Sequence, residues 1–319
     1  MITDLNARGL SLVERLLAQA EERRVAARPV AGGGRFVDCG VEVRGGLLAG
    51  LDLARICLAD LAEVALVPGF VGDVAIPHIQ VVTDHPVAAC LGSQYAGWHL
   101  HDGKFFAMGS GPMRSAAPGR EPILGELALA EPGVGAVVGG LAGRSGPPPS
   151  IGAQVAAACG IAPGAVTLLG APTASLAGGV QVVARSVETA LHKLHALEFD
   201  LARVVAGYGV APLPPVAADD LAAIGRTNDA IFYGARVVLD VTGDDASLAE
   251  VVPRIPSSSS PDHGEPFAAI FARYGRDFYA VDPHLFSPAE ITLRNVETGR
   301  THAAGRLEPA VLLRSFGGG

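Results

Sequence analysis

The apolar positions of this chain fall in short blocks whose period switches repeatedly between that of a helix and that of a strand. Leu5, Leu10, Val13, Leu16, Leu17 and Ala20 recur at helical spacing and predict a helix over 3–27, capped by Asp4 and closed off by Pro29. After the turn Gly32-Gly33-Gly34, the run RFVDCGVEV (35–43) alternates like a strand. Residues 47–61 read as a helix, and 64–67 and 74–82 as strands. The second half repeats the logic: strand 134–141, helix 151–158, strand 165–169 and one long helix over 180–197. Strand 204–207, helix 217–224, strand 235–241, helix 268–274, strands 291–295 and 301–307 and a short final helix follow. This order predicts an α/β fold of mixed α+β character.

Two stretches break the pattern. Residues 83–112 (TDHPVAACLGSQYAGWHLHDGKFFAMGSGP) are dense in Gly, Ser, Asp and His, which reads as functional loops on a rigid scaffold. GRSGPPPS (143–150) is the best linker. A length of 319 residues exceeds one usual core, so we expect two domains, 1–145 and 146–319, with a return of the C-terminal strands to the first left open.

Composition narrows the class. With 49% hydrophobic residues, 5% aromatics and 41 glycines, close helix–sheet packing is favoured over an aromatic-rich sandwich. A mean hydropathy of +0.35 raises the question of a membrane. The longest charge-free run, 145–184, is broken by Pro147, Pro148, Pro149, Pro163 and Pro172, so no apolar window of about 20 residues survives. The N-terminal segment is amphipathic and charged, unlike a signal peptide, and the reading is cytoplasmic. A net charge of −8 argues against nucleic acid as a partner. Cys39, Cys57, Cys90 and Cys159 form no CxxC pair and read as small buried hydrophobes rather than disulfides or zinc ligands.

The sharpest chemical signal lies in QVVARSVETALHKLHAL (181–197). Val180, Val183, Val187, Ala190, Leu191 and Leu194 make an apolar stripe, and Arg185 and Glu188, three apart, are neighbours on one face. A carboxylate in a dry cleft beside a guanidinium suits proton transfer, since burial raises its pKa and the cation lowers it. From spacing alone an ordinary surface ion pair is the stronger reading. Gly109-Ser110-Gly111-Pro112, before Arg114, has the look of an anion-cradling loop, with a plain tight turn as the alternative. There is no GxxxxGK[ST], GxSxG or strand-linked GxGxxG, which speaks against a Walker site, a serine hydrolase elbow and a nicotinamide site. His99/His101 and His192/His195 lack a matched third ligand, so we expect no metal.

Six segments together resemble the methenyltetrahydromethanopterin cyclohydrolase family: 83–98, 105–114, 171–193, 227–234, 255–271 and 277–291. They lie in family order across nearly the whole chain, and this outweighs the surface-pair reading. The resemblance implies a two-domain α/β subunit with the active-site cleft between the domains, and a homo-oligomer, with a trimer favoured. The implied reaction is hydrolysis of a cyclic amidine, 5,10-methenyl-tetrahydromethanopterin, to the 5-formyl pterin, with the pterin as substrate and no cofactor. It places Arg185 and Glu188 at the family's catalytic Arg and Glu. Substrate-binding candidates on the matched segments are Ser93, Gln94, Tyr95, Gly109, Ser110, Gly111, Arg114, Thr173, Ser175, Asn228 and Asp229. Archaeal members carry Lys where this chain has Tyr95, so no role of that lysine carries over, and the bacterial branch that serves formaldehyde oxidation in methylotrophs is the better match. Other readings kept open are a different pterin or folate one-carbon enzyme and a non-catalytic pterin-binding relative.

Overall fold

A computed structural model describes residues 4–317 and shows a mixed α/β protein built on two six-stranded sheets. By contacts the chain divides into two compact units, each made of two separate segments: 1–62 with 88–181, and 63–87 with 182–319. The division therefore does not fall at a single cut near 145. The GRSGPPPS run stays inside the first unit, where Pro149 opens the Pro149–Cys159 helix.

In the first unit the strand order is Ala26–Pro29, Arg35–Asp38, Val166–Ala171, Val137–Ala142, Phe105–Ser110, Trp98–Asp102. The central strands are near-continuous apolar runs because both faces are covered. Phe36, Val137 and Leu168 point into one core with Ile151 and Val155 of the Pro149–Cys159 helix. Their neighbours Val37, Val138 and Leu169 point into the other, with Leu12, Val13 and Leu16 of helix Leu5–Ala18 and Leu53 and Ile56 of helix Leu47–Cys57. The period of two thus sorts each strand into two cores and gives three layers, helix, sheet, helix.

In the second unit the order is Thr301–Gly305, Glu290–Asn295, Arg236–Val241, Val204–Pro212, His78–Thr83, Glu63–Val67. Ile79, Val81, Val237, Leu239, Ile291 and Leu293 are buried, as are Val187, Ala190, Leu191 and Leu194 of helix Ser186–Ala196. On the opposite pleat Val82 and Tyr208, paired across strands, stay more than a third exposed.

Several expected elements differ for local reasons. The N-terminal helix is Leu5–Ala18 followed by a short turn of helix, Ala20–Arg23, and then strand Ala26–Pro29; Thr3 lies outside the described residues. Asp4 does not cap it, for its carboxylate takes the Arg8 guanidinium at 3.0 Å. The strand expected over 35–43 stops at Asp38, whose carboxylate accepts from the amides of Gly40, Val41, Glu42 and Val43 and curls the chain. The long helix expected over 180–197 is two helices, Leu176–Val183 and Ser186–Ala196, broken at Ala184-Arg185. The presumed loop 83–112 is largely ordered: a π-helix, Val87–Gln94, then the antiparallel strands Trp98–Asp102 and Phe105–Ser110. All four cysteines are buried, and none is in a disulfide. Among the described residues no helix is long and apolar enough to cross a membrane.

Candidate functional site

The helix break sets the geometry of the Arg185–Glu188 pair. Arg185 is the cap residue of Ser186–Ala196, and Glu188 lies in the first turn, where the positive end of the helix favours a carboxylate. Arg185 Nη1 stands 3.7 Å from Glu188 Oε2, with side chains only 11% and 6% exposed. The surface-pair reading therefore fails on burial. The helix is seated on strand Val204–Pro212 through Gly207 and Gly209. A Cβ at either glycine would come within 2.9 Å of a Val187 methyl, and at Gly209 it would also overlap the Ser186 hydroxyl. The small residues thus draw the helix tight against the sheet, which fixes the height of the pair.

The second unit also holds Asn228 and Asp229, on helix Asp220–Phe232. Asn228 spends its amide on the Ile224 carbonyl one turn back, at 2.8 Å. Asp229 is fully buried; it accepts from the Phe267 amide at 2.8 Å and from the Ser315 hydroxyl at 2.5 Å, tying two later helices together. Burial pushes its carboxyl up to about 7, against the lowering effect of the Ser315 and Phe267 bonds. The sign for stability follows from proton counting. Between the ordinary carboxylate value and about 7, the folded state keeps a proton that the unfolded state has lost. Asp229 therefore costs stability as pH rises through that window, on the order of 4 kcal/mol at most. We expect Asp229→Asn to flatten the pH dependence of unfolding between pH ~4 and ~7, measured by denaturant titration; an unchanged slope would refute this account.

The first unit gathers most of the other candidates, and gives several of them internal work. Arg114 is 1% exposed. Its Nε and Nη2 pair with the Glu121 carboxylate, and Nη1 reaches the carbonyls of Leu91 and Ser93 on the π-helix at 3.0 and 3.1 Å. The Tyr95 ring covers the guanidinium at 4.9 Å. The guanidinium has no face left for a ligand, so Arg114 is an anchor of the π-helix. Ser93 donates to the Cys57 carbonyl at 2.6 Å, Ser110 reaches Cys57 Sγ at 3.5 Å, and Gln94 is fully buried. The Gly111 amide already donates to the Ser93 carbonyl at 2.9 Å, and Met113 packs within 2.8 Å of where a Gly109 Cβ would stand. The GSGP run is a buried strand end and turn, and its expected role as an anion cradle gives way to that. Ser175 accepts from the Gly178 amide and so starts helix Leu176–Val183, and Thr173 and Tyr95 remain half-buried beside accessible surface.

Of the histidines, His99 and His101 share one face of Trp98–Asp102, and both are exposed. Burial, with His195 nearby, lowers the pKa of His192. Among the described residues no three His, Cys, Asp or Glu side chains converge as metal ligands would. A pocket of about 620 Å³ in the second unit includes Ser258, His263 and Glu308 but neither Arg185 nor Glu188.

Sequence reading passed over Lys193, on the same helix as the pair. It is 2% exposed, with its ammonium at 3.0 Å from Ser259 Oγ, 3.0 Å from His284 Nδ1 and 2.9 Å from the His284 carbonyl. The available signal was composition: with 22 arginines and only 2 lysines in the chain, a lysine inside an apolar stripe stands out.

Comparison with known proteins converges on one group. A family described as "Cyclohydrolase (MCH)" matches residues 4–316. Among the similar proteins is a methenyltetrahydromethanopterin cyclohydrolase of Methylobacterium sp. (strain 4-46), 48% identical over 318 residues, covering 98% of this chain and 97% of the relative. One of Rhodopirellula baltica is 49% identical over 289 residues, covering 89% and 86%. One of Methanosarcina barkeri is 38% identical over 315 residues, covering 98% of each.

Proposed function

Because the chain belongs to the methenyltetrahydromethanopterin cyclohydrolase family, we propose that Glu188 and Arg185 act as one catalytic unit in its reaction. The protein converts 5,10-methenyl-tetrahydromethanopterin and water to 5-formyl-tetrahydromethanopterin, a hydrolase step of one-carbon metabolism. The observation that carries the assignment is the burial of the pair at the helix start, with 3.7 Å between cation and carboxylate.

The methenyl carbon is the central carbon of an amidinium, bonded to both nitrogens and already electrophilic, so the reaction asks for no metal to polarise it. Glu188 takes a proton from water as the oxygen bonds to that carbon, giving a neutral hydroxymethylene bridge between the two nitrogens. The protonated Glu188 then gives this proton to the aryl-side nitrogen as the carbon–nitrogen bond breaks. The hydroxyl oxygen forms the formyl double bond, and its proton passes to solvent. Arg185 holds the Glu188 carboxylate as an anion between turnovers and orients it. A lone guanidinium would repel the cationic substrate; with Glu188 ionised the pair is neutral, which is why the two serve together.

Tyr95, Thr173 and Ser175 are retained as substrate contacts, and the enzyme works in the cytoplasm as a homo-oligomer, with a trimer favoured. The reading is tested by following loss of the methenyl chromophore with purified protein in the presence of EDTA. We expect steady turnover that chelation leaves unchanged. Activity that disappears on chelation and returns with a divalent metal would overturn the metal-free mechanism.

A further inference from the structure

We propose that Lys193 is the positioning residue of the catalytic pair, clamping the helix that carries Arg185 and Glu188 to two loops of its unit. The inference rests on the reading of Glu188 as the proton carrier. The helix is seated along its apolar stripe: Val187, Ala190, Leu191 and Leu194 are fully buried, and Val187 rides on Gly207 and Gly209, which fixes the height above the sheet. Apolar packing is non-directional. Lys193, five residues beyond Glu188 and about 7.5 Å further along the axis, adds directional bonds to that seat.

The three hydrogens of the ammonium meet three acceptors: Ser259 Oγ, in the Ser257–Ser259 turn, and Nδ1 and the carbonyl of His284, in the Pro283–Leu285 turn. This uses the full donor inventory of a lysine, in a pyramid that the planar fork of arginine cannot match. It also fixes the tautomer of His284, whose Nδ1 accepts and whose Nε2 carries the proton. A carboxylate about 6 Å from a helix axis moves by about 1 Å for a 10° roll, and a misplacement of 1 Å costs on the order of a hundredfold in rate. Holding the roll is therefore a catalytic matter and not only a structural one.

The charge state of the clamp is set by the groups that face it. Burial lowers the Lys193 pKa to about 8; Asp282 raises it and Arg254 lowers it, and His284 is in direct contact. On its own helix the nearest titratable neighbours in sequence are His192, His195 and Glu188. Below about pH 8 the ammonium fills all three acceptors. Above it the neutral amine has two hydrogens for three acceptors, and one arm of the clamp is lost.

The test compares wild type, Lys193→Met, Lys193→Arg and His284→Ala for kcat, KM, the pH profile of kcat and melting temperature. Wild type should lose kcat on the alkaline side with a midpoint near pH 8. In Lys193→Met, kcat should fall by about tenfold to a hundredfold, with KM little changed and the alkaline limb absent, and Lys193→Arg should not restore it. If Lys193→Met fails to fold, His284→Ala decides, since it removes one acceptor at an exposed residue. There kcat should fall about threefold, with the alkaline limb moved to lower pH, because the lost acceptor had favoured the ammonium. A folded Lys193→Met with wild-type kcat, or a His284→Ala with wild-type kcat and pH profile, would overturn the proposal. Failure of the parent reading looks different: a Glu188→Gln enzyme that still turns over removes Glu188 whatever Lys193 does.

Discussion

Glu188→Gln is expected to lower turnover by about two orders of magnitude or more, the scale of general acid–base catalysis, while the pterin still binds. The amide keeps the shape and hydrogen-bonding reach of the carboxylate but cannot take a proton from water or return it to the leaving nitrogen. Binding of the cationic substrate should weaken too, because the carboxylate charge that offsets Arg185 at 3.7 Å is gone. The loss should therefore appear mainly in kcat and, less, in KM. Replacing Arg185 as well should recover some binding and no turnover, as expected of two groups that act as a unit. Stopped-flow and steady-state readings of the methenyl chromophore measure both. Near-normal kcat in Glu188→Gln would remove the carboxylate from the base role.

A comparably large effect is expected on stability from Arg114→Ala. Its guanidinium is buried with Glu121, and it also joins two π-helix carbonyls. Taking away one member of a buried ion pair leaves the other charge without compensation and costs about 3–5 kcal/mol. Denaturant midpoint and melting temperature should both drop clearly. The double change Arg114→Met with Glu121→Gln should recover part of the loss, since no unpaired carboxylate remains. An Arg114→Ala protein that melts like wild type but binds pterin much more weakly would restore Arg114 to the ligand contacts from which its burial removed it.

What the sequence made legible was whatever depends on period. The apolar runs through Phe36-Val37 and Leu168-Leu169 announced strands, and the structure shows why they are doubly apolar: successive residues serve different cores. The stripe from Val180 to Leu194 was legible for the same reason, and all six of its residues are buried. What stayed hidden depends on which partners the fold selects for a polar group, near or far in sequence. Asp38 ends its strand by gathering four amides, and nothing in RFVDCGVEV distinguishes that from continuation. The break at Ala184-Arg185 involves no proline or glycine, so helical periodicity runs straight through it. Ser110 and Arg114 were read as ligand contacts from the anion-cradling look of 109–112 and from the family resemblance; their partners Cys57 and Glu121 are supplied by the fold. The Arg185–Glu188 pair was legible as a pair by spacing, but its burial, with side chains 11% and 6% exposed, was not.

The division of each unit into two segments bears on how the chain is made. Strands Glu63–Val67 and His78–Thr83 leave the ribosome about 120 residues ahead of Val204–Pro212, the strand that pairs with His78–Thr83. At about 5–20 residues per second, that hairpin waits on the order of 6–25 seconds for its partner. Through that interval Val64, Ile79 and Val81, all buried at the end, belong to an unfinished sheet with an open edge. By the time Gln181 emerges, every residue of the first unit has been synthesised. Slow synthesis over residues 182–212 would lengthen the exposure of the nascent edge, and a chaperone that shields it would act in that window.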